Sequence, residues 1–207
     1  PVLWHFDGRT WTQGRTAYSV APQFTETEQA IDYLVTLEPH NKTWLFALDV
    51  PDSISVPANI TYDFQVVQKE PVKARLRYEV RSHLGYHANL RENERQIQRA
   101  LQLPPSLNPR TQQLAADWRR QAEAAAPSPQ PSPASGRGGN RSLAGIDESI
   151  VRAALAYFSQ QDFRYTLEPP LLGIHGVDDF LFETRQGFCE HYASAFVFLM
   201  RAAHIPA

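Results

Sequence analysis

The chain of 207 residues is 43% hydrophobic and 20% charged, the balance of a globular protein with room for one large domain or two small ones. Its formal net charge of -2 supplies no basic field for nucleic acid, and no motif of that class is present. The longest apolar run, Ala195 to Met200, ends at Arg201 and is far too short to span a bilayer. The opening Pro1-Val2-Leu3-Trp4-His5-Phe6 lacks the basic start and apolar core of a signal peptide. Neither end reads as a natural terminus, so the chain is expected to be a piece of a longer protein, soluble as it stands.

Residues 1–88 read as a β-rich domain, a small sandwich or barrel. Ile31 to Leu37 is rich in strand formers, and Trp44 to Leu48 is a short apolar run closed by the turn signal Asp49-Val50-Pro51-Asp52. Tyr62 to Val67 and Ala74 to Val80 alternate polar and apolar residues, as half-buried antiparallel strands do.

Residues 89–126 read as a helical connection. Arg91 to Leu101 tolerates a helix, Leu103-Pro104-Pro105 stops it, and Thr111 to Ala126 forms another with Thr111 as N-cap and Leu114, Ala115 and Trp118 on one face. Residues 127–145 read as a flexible linker, because the stretch Pro127 to Gly139 is proline, serine and glycine with little to bury.

Residues 146–207 read as the start of a second domain. Asp147 is a candidate N-cap ahead of a stripe of Ile150, Val151, Ala154, Leu155 and Phe158. Phe163 to Leu167 reads as a short extended piece, and Asp178 or Asp179 as the cap of a short helix over Phe180 to Glu183. Gly187 then breaks the chain before a helix from Cys189 to Ala203, with Ala193, Phe196, Val197 and Met200 as its buried face.

The single cysteine, Cys189, excludes an internal disulfide and falls at the predicted start of that last helix. Helix N-termini present unpaired N–H groups and partial positive charge, which favour thiolate over thiol and can hold a developing oxyanion. The competing reading is a small buried core residue in a protein-interaction module.

The neighbours of Cys189 weigh toward the nucleophile by resemblance. Gly187-Phe188-Cys189-Glu190-His191-Tyr192-Ala193, with Leu199-Met200-Arg201 and Ile205-Pro206-Ala207 behind it and Val177 to Gln186 ahead, resembles the nucleophile segment of the transglutaminase-like superfamily. It is most similar to bacterial membrane-anchored members of the TgpA type. Thr36-Leu37-Glu38-Pro39, Trp44 to Asp49, Leu101 to Pro104, Asn108-Pro109-Arg110, Leu114 to Arg119 and Tyr165 to Gly173 extend the likeness over nearly the whole chain outside the linker.

The resemblance implies an α+β architecture, with the β-rich domain followed by an incomplete papain-like transglutaminase core. It implies Cys189 as the catalytic nucleophile attacking a protein or peptide carboxamide, with a histidine base and an orienting aspartate beyond residue 207. An amine or water then resolves the thioacyl-enzyme, a cysteine peptidase sharing the same chemistry. No cofactor is implied. The resemblance places the protein on the periplasmic face of the bacterial inner membrane, held by anchors outside this chain, and the fragment alone is expected to be inactive.

Other histidines offer no base. His191 is two positions from Cys189, about 200° around a helix, and reads as structural. His204 stands where the family has a helix-ending glycine and is expected in a left-handed conformation. His175 reads as a surface residue. His83 and His87 are spaced i, i+4 but flank Gly85 after a strand without an adjacent acidic or thiol partner, so no metal site is expected. Asp178 and Asp179 are adjacent and fit a cap better than paired catalytic carboxylates.

Overall fold

The computed structural model describes residues 5–7, 10–12, 22–88, 94–126 and 138–207, the last stretch with side chains from 144 onward. The residues 127–137 of the expected linker lie outside the described residues. The chain divides into two compact units, one of Pro1–Trp4 and Thr12–Asn93, the other of His5–Trp11 and Glu94–Ala207. The division falls ahead of Glu94, so the stretch read as a helical connection belongs to the second unit. The described chain opens with β1 (His5–Phe6) paired to β2 (Trp11–Thr12). Beside this pair the Asp7 carboxylate accepts the Thr10 N–H at 2.7 Å.

The first unit is β-rich, as expected, with β3 (Phe24–Glu26), β4 (Ile31–Leu37), β5 (Trp44–Leu45), β6 (Val50–Ile54), β7 (Ala58–Ile60), β8 (Val66–Gln68), β9 (Leu76–His83) and β10 (Tyr86–Ala88). One antiparallel sheet has the order β4-β9-β6 and another the order β5-β8-β7, while β3 and β10 form a separate ribbon. Leu37, Tyr78 and Val80 from the first sheet and Leu45 and Val66 from the second share one core, which is the packing of a small sandwich.

Two expectations are corrected by this unit. Asp49 to Asp52 is not a closing turn. Asp49 takes a positive φ and β6 starts immediately, with a bulge between Pro51 and Ser53; a proline is tolerated there because β6 is an edge strand. Tyr62 to Gln65 is a turn rather than strand. The Thr61 hydroxyl bonds Asp63 and accepts the Gln65 N–H, and Phe64 has a φ of 58°, local side-chain bonds that compete with a ladder.

Tyr78 holds this sandwich together at a polar point. Its buried phenol accepts the Phe46 N–H at 3.0 Å and donates to the Phe46 carbonyl at 2.8 Å. Tyr33 does similar work beside it, accepting the Leu48 N–H at 2.7 Å and bonding Ser82 at 2.8 Å.

The second unit contains α1 (Glu94–Ala100), α2 (Pro109–Ala125), α3 (Gly138–Gln160), β11 (Arg164–Tyr165), α4 (Gly176–Asp178), a π-helical turn over Asp179–Thr184, β12 (Gln186–Gly187) and α5 (Cys189–Ala202). Residues 138–145, read as the end of the linker, are therefore helical. Asp147 lies inside α3 rather than capping it, and pairs with Arg119 at 2.8 Å. Ile150 and Ala154 are fully buried as the stripe predicts, whereas Leu155 is 56% exposed and Ile146 takes part in the core instead.

The helix starts are tied together by exchange. Asn108, not Thr111, is the N-cap of α2, and its side chain gives that helix no cap bond. Its Oδ1 instead accepts the N–H groups of Val177 and Asp178 at 3.0 and 3.2 Å. Asp178 returns the contact: it accepts from the Arg110 N–H at 3.0 Å, the Thr111 N–H at 2.8 Å and the Thr111 hydroxyl at 2.5 Å. Each side chain thus satisfies the unpaired donors of the other's helix. Asp178 therefore caps α2 rather than the turn after it, and Asp179 accepts the Gly173 N–H at 2.6 Å.

The second end of α5 is equally defined. The Ile205 N–H bonds the Met200 carbonyl and the His204 N–H bonds the Arg201 carbonyl, with His204 at a φ of 60°. This is a Schellman motif with histidine in the left-handed position. Arg119 reaches from α2 to cover the Ala203 carbonyl at 2.5 and 2.9 Å. The buried face of α5 is Ala195, Phe198, Leu199 and Met200, while Ala193 is exposed and Phe196 and Val197 are half-buried. The face differs from the expected one because this helix is apolar nearly all round, so its period does not fix one stripe.

Two outcomes test this framework. Asp178→Ala strips three donors of a buried acceptor and is expected to cost about 2–4 kcal/mol of unfolding free energy, read by urea denaturation. Tyr78→Phe is expected to cost about 1–3 kcal/mol at neutral pH. Burial holds the Tyr78 phenol above its ordinary value of 10.0. The unfolded chain therefore loses this proton first, and the stability it confers below that pH is lost as pH rises through the folded value. The difference between parent and variant should shrink in denaturation measured above pH 10.

Candidate active site

The site grows from the junction of β12 and α5. β11 runs parallel to β12, with Arg164 opposite Gln186 and Tyr165 opposite Gly187. The Arg164 N–H bonds the Arg185 carbonyl at 2.8 Å and the Thr166 N–H bonds the Gly187 carbonyl at 2.9 Å. Arg185 turns the chain into β12 with a φ of 50°. The backbone delivering Cys189 is therefore held on a neighbouring strand rather than left in a free loop.

Phe188 is the N-cap of α5, extended at φ -117° and ψ -175°. Its carbonyl accepts the His191 N–H at 2.9 Å. A phenylalanine has no side-chain acceptor to offer the helix, so His191 reaches backwards. Its Nδ1 accepts the Phe188 N–H at 3.4 Å, which puts the proton of the neutral ring on Nε2. The His191 ring also meets Phe188 edge-on at 4.5 Å and tilts against Phe180 at 5.6 Å. It is turned into the helix entry, a structural placement.

Cys189 is the first residue of α5 and is exposed. The alternative of a buried structural cysteine does not describe this molecule. The first N–H groups of a helix have no acceptor within it, so the N–H groups of Cys189 and Glu190 stand beside the sulfur. Exposed sulfur, a fixed backbone and adjacent free donors together suit nucleophilic attack on a carbonyl.

The wall behind this turn is aromatic. Tyr192 packs against Phe163 at 5.9 Å and Phe180 at 5.1 Å, and Tyr165 stacks on it at 6.4 Å. Burial, then the neighbouring Tyr165, pushes the Tyr192 phenol up from its ordinary value.

The remaining histidines are elsewhere. His175 is half-buried and not a free surface residue: its Nδ1 accepts the Asn108 N–H at 3.0 Å. His204 ends α5. His83 lies buried on β9 near Glu26 at 3.3 Å, and His87 is on β10 opposite Thr25. Sequence reasoning misses the partnership of Asn108 and Asp178. Its one local signal is Asn108 before Pro109, a helix-start signature.

Comparison with known proteins agrees with this geometry. Residues 1–88 match the TgpA N-terminal domain and residues 144–207 the transglutaminase-like superfamily. A protein-glutamine gamma-glutamyltransferase of Pseudomonas aeruginosa is 39% identical over 206 residues, which are 98% of this chain and 27% of that protein. An uncharacterized Bacillus subtilis protein, YebA, is 40% identical over 60 residues, 28% of this chain and 8% of that one. The crystal structure of the periplasmic domain of TgpA from Pseudomonas aeruginosa matches at a TM-score of 0.80 and 36% identity, over 99% of this chain and 64% of that chain. The ethylmercury-bound form matches at 0.79 and 36%, over 99% and 65%. With the β-rich domain and the domain bearing Cys189 both matched, in that order, the chain belongs to the transglutaminase-like superfamily in its TgpA-type branch.

Proposed function

We propose that this chain carries the nucleophile of a glutamine-directed acyl transferase, with Cys189 as the catalytic residue. The observation that supports this reading most is the exposed sulfur on the first residue of α5. In the first step Sγ bonds to the carboxamide carbon of a glutamine side chain, the C–N bond breaks, and ammonia leaves with the thiol proton. In the second an amine nitrogen bonds to the thioester carbon, the C–S bond breaks, and the amine's proton passes to the sulfur. The N–H groups at the start of α5 hold the carbonyl oxygen as its charge develops.

His175 and His191 each accept a backbone N–H, of Asn108 and Phe188 respectively. We infer that the base and its orienting carboxylate come from a part of the whole protein outside these residues, and that the isolated chain lacks activity. The transferase that resembles this chain, and the periplasmic domain it superposes on, support a protein substrate and a periplasmic setting. No helix among the described residues is long and apolar enough to cross a membrane, so in this reading any anchor is also outside the chain.

Gly187 has a steric task in positioning the sulfur. A Cβ there would stand 2.7 Å from the Cβ and Cγ of His191 and 3.0 Å from a Phe180 ring carbon. Neither neighbour can give way freely, since one is anchored on α5 and the other is 1% exposed.

In the full-length protein, Cys189→Ala should reduce ammonia release from glutamine peptides by about a thousandfold or more. Its unfolding free energy should stay within about 0.5 kcal/mol of the parent, because the side chain is exposed. Full activity in that variant would end the proposal. Gly187→Ala should shift the first turn of α5 and lower kcat about a hundredfold, the order expected for a displacement near 1 Å. Steady-state kinetics would read it, and an unchanged kcat would contradict the positioning role.

A further inference from the structure

We propose that the β-rich unit pairs with a second copy of itself through the free edge of β4, the two strands running antiparallel with Leu34 opposite its own equivalent. The inference is independent of Cys189 and its chemistry.

The three-stranded sheet β4-β9-β6 has two edges among the described residues, and they are built differently. β6 is interrupted: Pro51 has no N–H to offer, and a bulge between Pro51 and Ser53 breaks the register. Both devices stop an edge from recruiting another strand. β4 has neither. Its seven residues include no proline, glycine or lysine, and they pair with β9 in unbroken register from Ile31 to Leu37. The edges of the second sheet, β5 and β7, are only two and three residues long. An edge strand presents a row of backbone N–H and C=O groups that have no ladder partner. Among the described residues β4 is therefore the long open template of this unit.

The side chains prepare the same edge for contact. Asp32 is the one charged residue of β4, and Arg81 on β9 neutralises it through two bonds of 2.8 Å. Leu34 lies on the solvent face between Asp32 and Thr36 and is 47% exposed, and Ile31 at the start of the strand is 37% exposed.

The order of residues in β4 selects another β4 as the occupant. An antiparallel pairing centred on Leu34 sets Ile31 beside the partner's Leu37, Asp32 beside the partner's Thr36 and Tyr33 beside the partner's Val35. Apolar residues meet apolar ones, an aromatic ring meets a β-branched side chain, and the acid meets a hydroxyl. No like charges stand opposite each other, the condition under which cross-strand pairs stabilise a sheet. The twofold axis passes through the sheet, so the solvent-facing residues of the two copies adjoin and each core face stays on its own side. The product is a continuous sheet ordered β6-β9-β4-β4-β9-β6. Its outer edges are the two interrupted β6 strands, so assembly closes at two copies instead of extending into a fibre. Pairing through single strands lies at the low end of interface size, which places the dissociation constant at about micromolar.

The test uses the full-length protein in detergent micelles, followed by sedimentation velocity from about 1 to 100 µM. The dimer fraction should rise through this range. Leu34→Lys and Leu34→Glu place like charges opposite each other, and each should weaken the dimer at least tenfold. Mixing the two variants should restore dimer to within about threefold of the parent, with the mixed pair predominating. Near-UV circular dichroism of both should match the parent, since the side chain is on the solvent face. Independently of the charge variants, Leu34→Cys should form a disulfide-linked dimer on mild oxidation, while Leu48→Cys, equally exposed at 46%, should not. A parent that stays monomeric throughout overturns the proposal. So does a dimer that neither charge variant weakens, a mixture that fails to restore pairing, or cross-linking no greater at Leu34→Cys than at Leu48→Cys.

Discussion

The second unit depends on an exchange of caps between Asn108 and Asp178. Two helix N-termini meet, and each side chain accepts from the backbone of the other's helix. Hydrogen bonds to a carboxylate contribute about 1.5–3 kcal/mol each, well above neutral ones. The partners are about 70 residues apart, and closing such a loop costs only slowly more as it lengthens. The exchange therefore anchors the segment that leads into Cys189, and His175 reinforces it through the Asn108 N–H. The π-helical turn, Arg185 and β12 are laid out from this fixed point.

α5 is held at both ends by different means. At its start, His191 takes the place of a missing cap and rests on Gly187. At its finish, the Schellman motif and Arg119 cover the last carbonyls, while Arg201 is buried at 3% exposure. That burial pushes the Arg201 guanidinium down to about 10, and the carbonyls of Ala207 and Gln102 lie around it. A helix fixed in this way holds its first residue, Cys189, on a rigid mount.

The legibility of these features in the sequence tracks their locality. β4 is readable to the residue because Ile31 to Leu37 is rich in strand formers. The start of α5 is readable because Gly187 breaks the chain and an apolar run comes after it. β6 is not, since Pro51 and a bulge disguise an edge strand as a turn. The buried side of α5 is ambiguous because Ala193 to Ala202 offers more than one apolar stripe. Sequence position assigns Asp178 to the nearest helix, while its true partners are on α2. A single sequence gives no sign of which distant backbone a carboxylate will meet. The role of His204 can be read because helix termination is a local matter, and that of His175 cannot because its partner is remote.

The ribbon of β1 and β2 sends Phe6 and Trp11 into the core around α5, although the chain then departs to build the β-rich unit before returning at Glu94. Trp11 and Ser194 are 183 positions apart. The helical unit is thus discontinuous in the gene product: a clean cut ahead of Glu94 would remove an indole and a phenyl ring from its interior. Residues 5–11 find their place only once residues from 94 onward have been made, a demand that slows folding. Shortening from the amino end is consequently a lesion in the helical unit, however far from the cysteine it falls in the sequence.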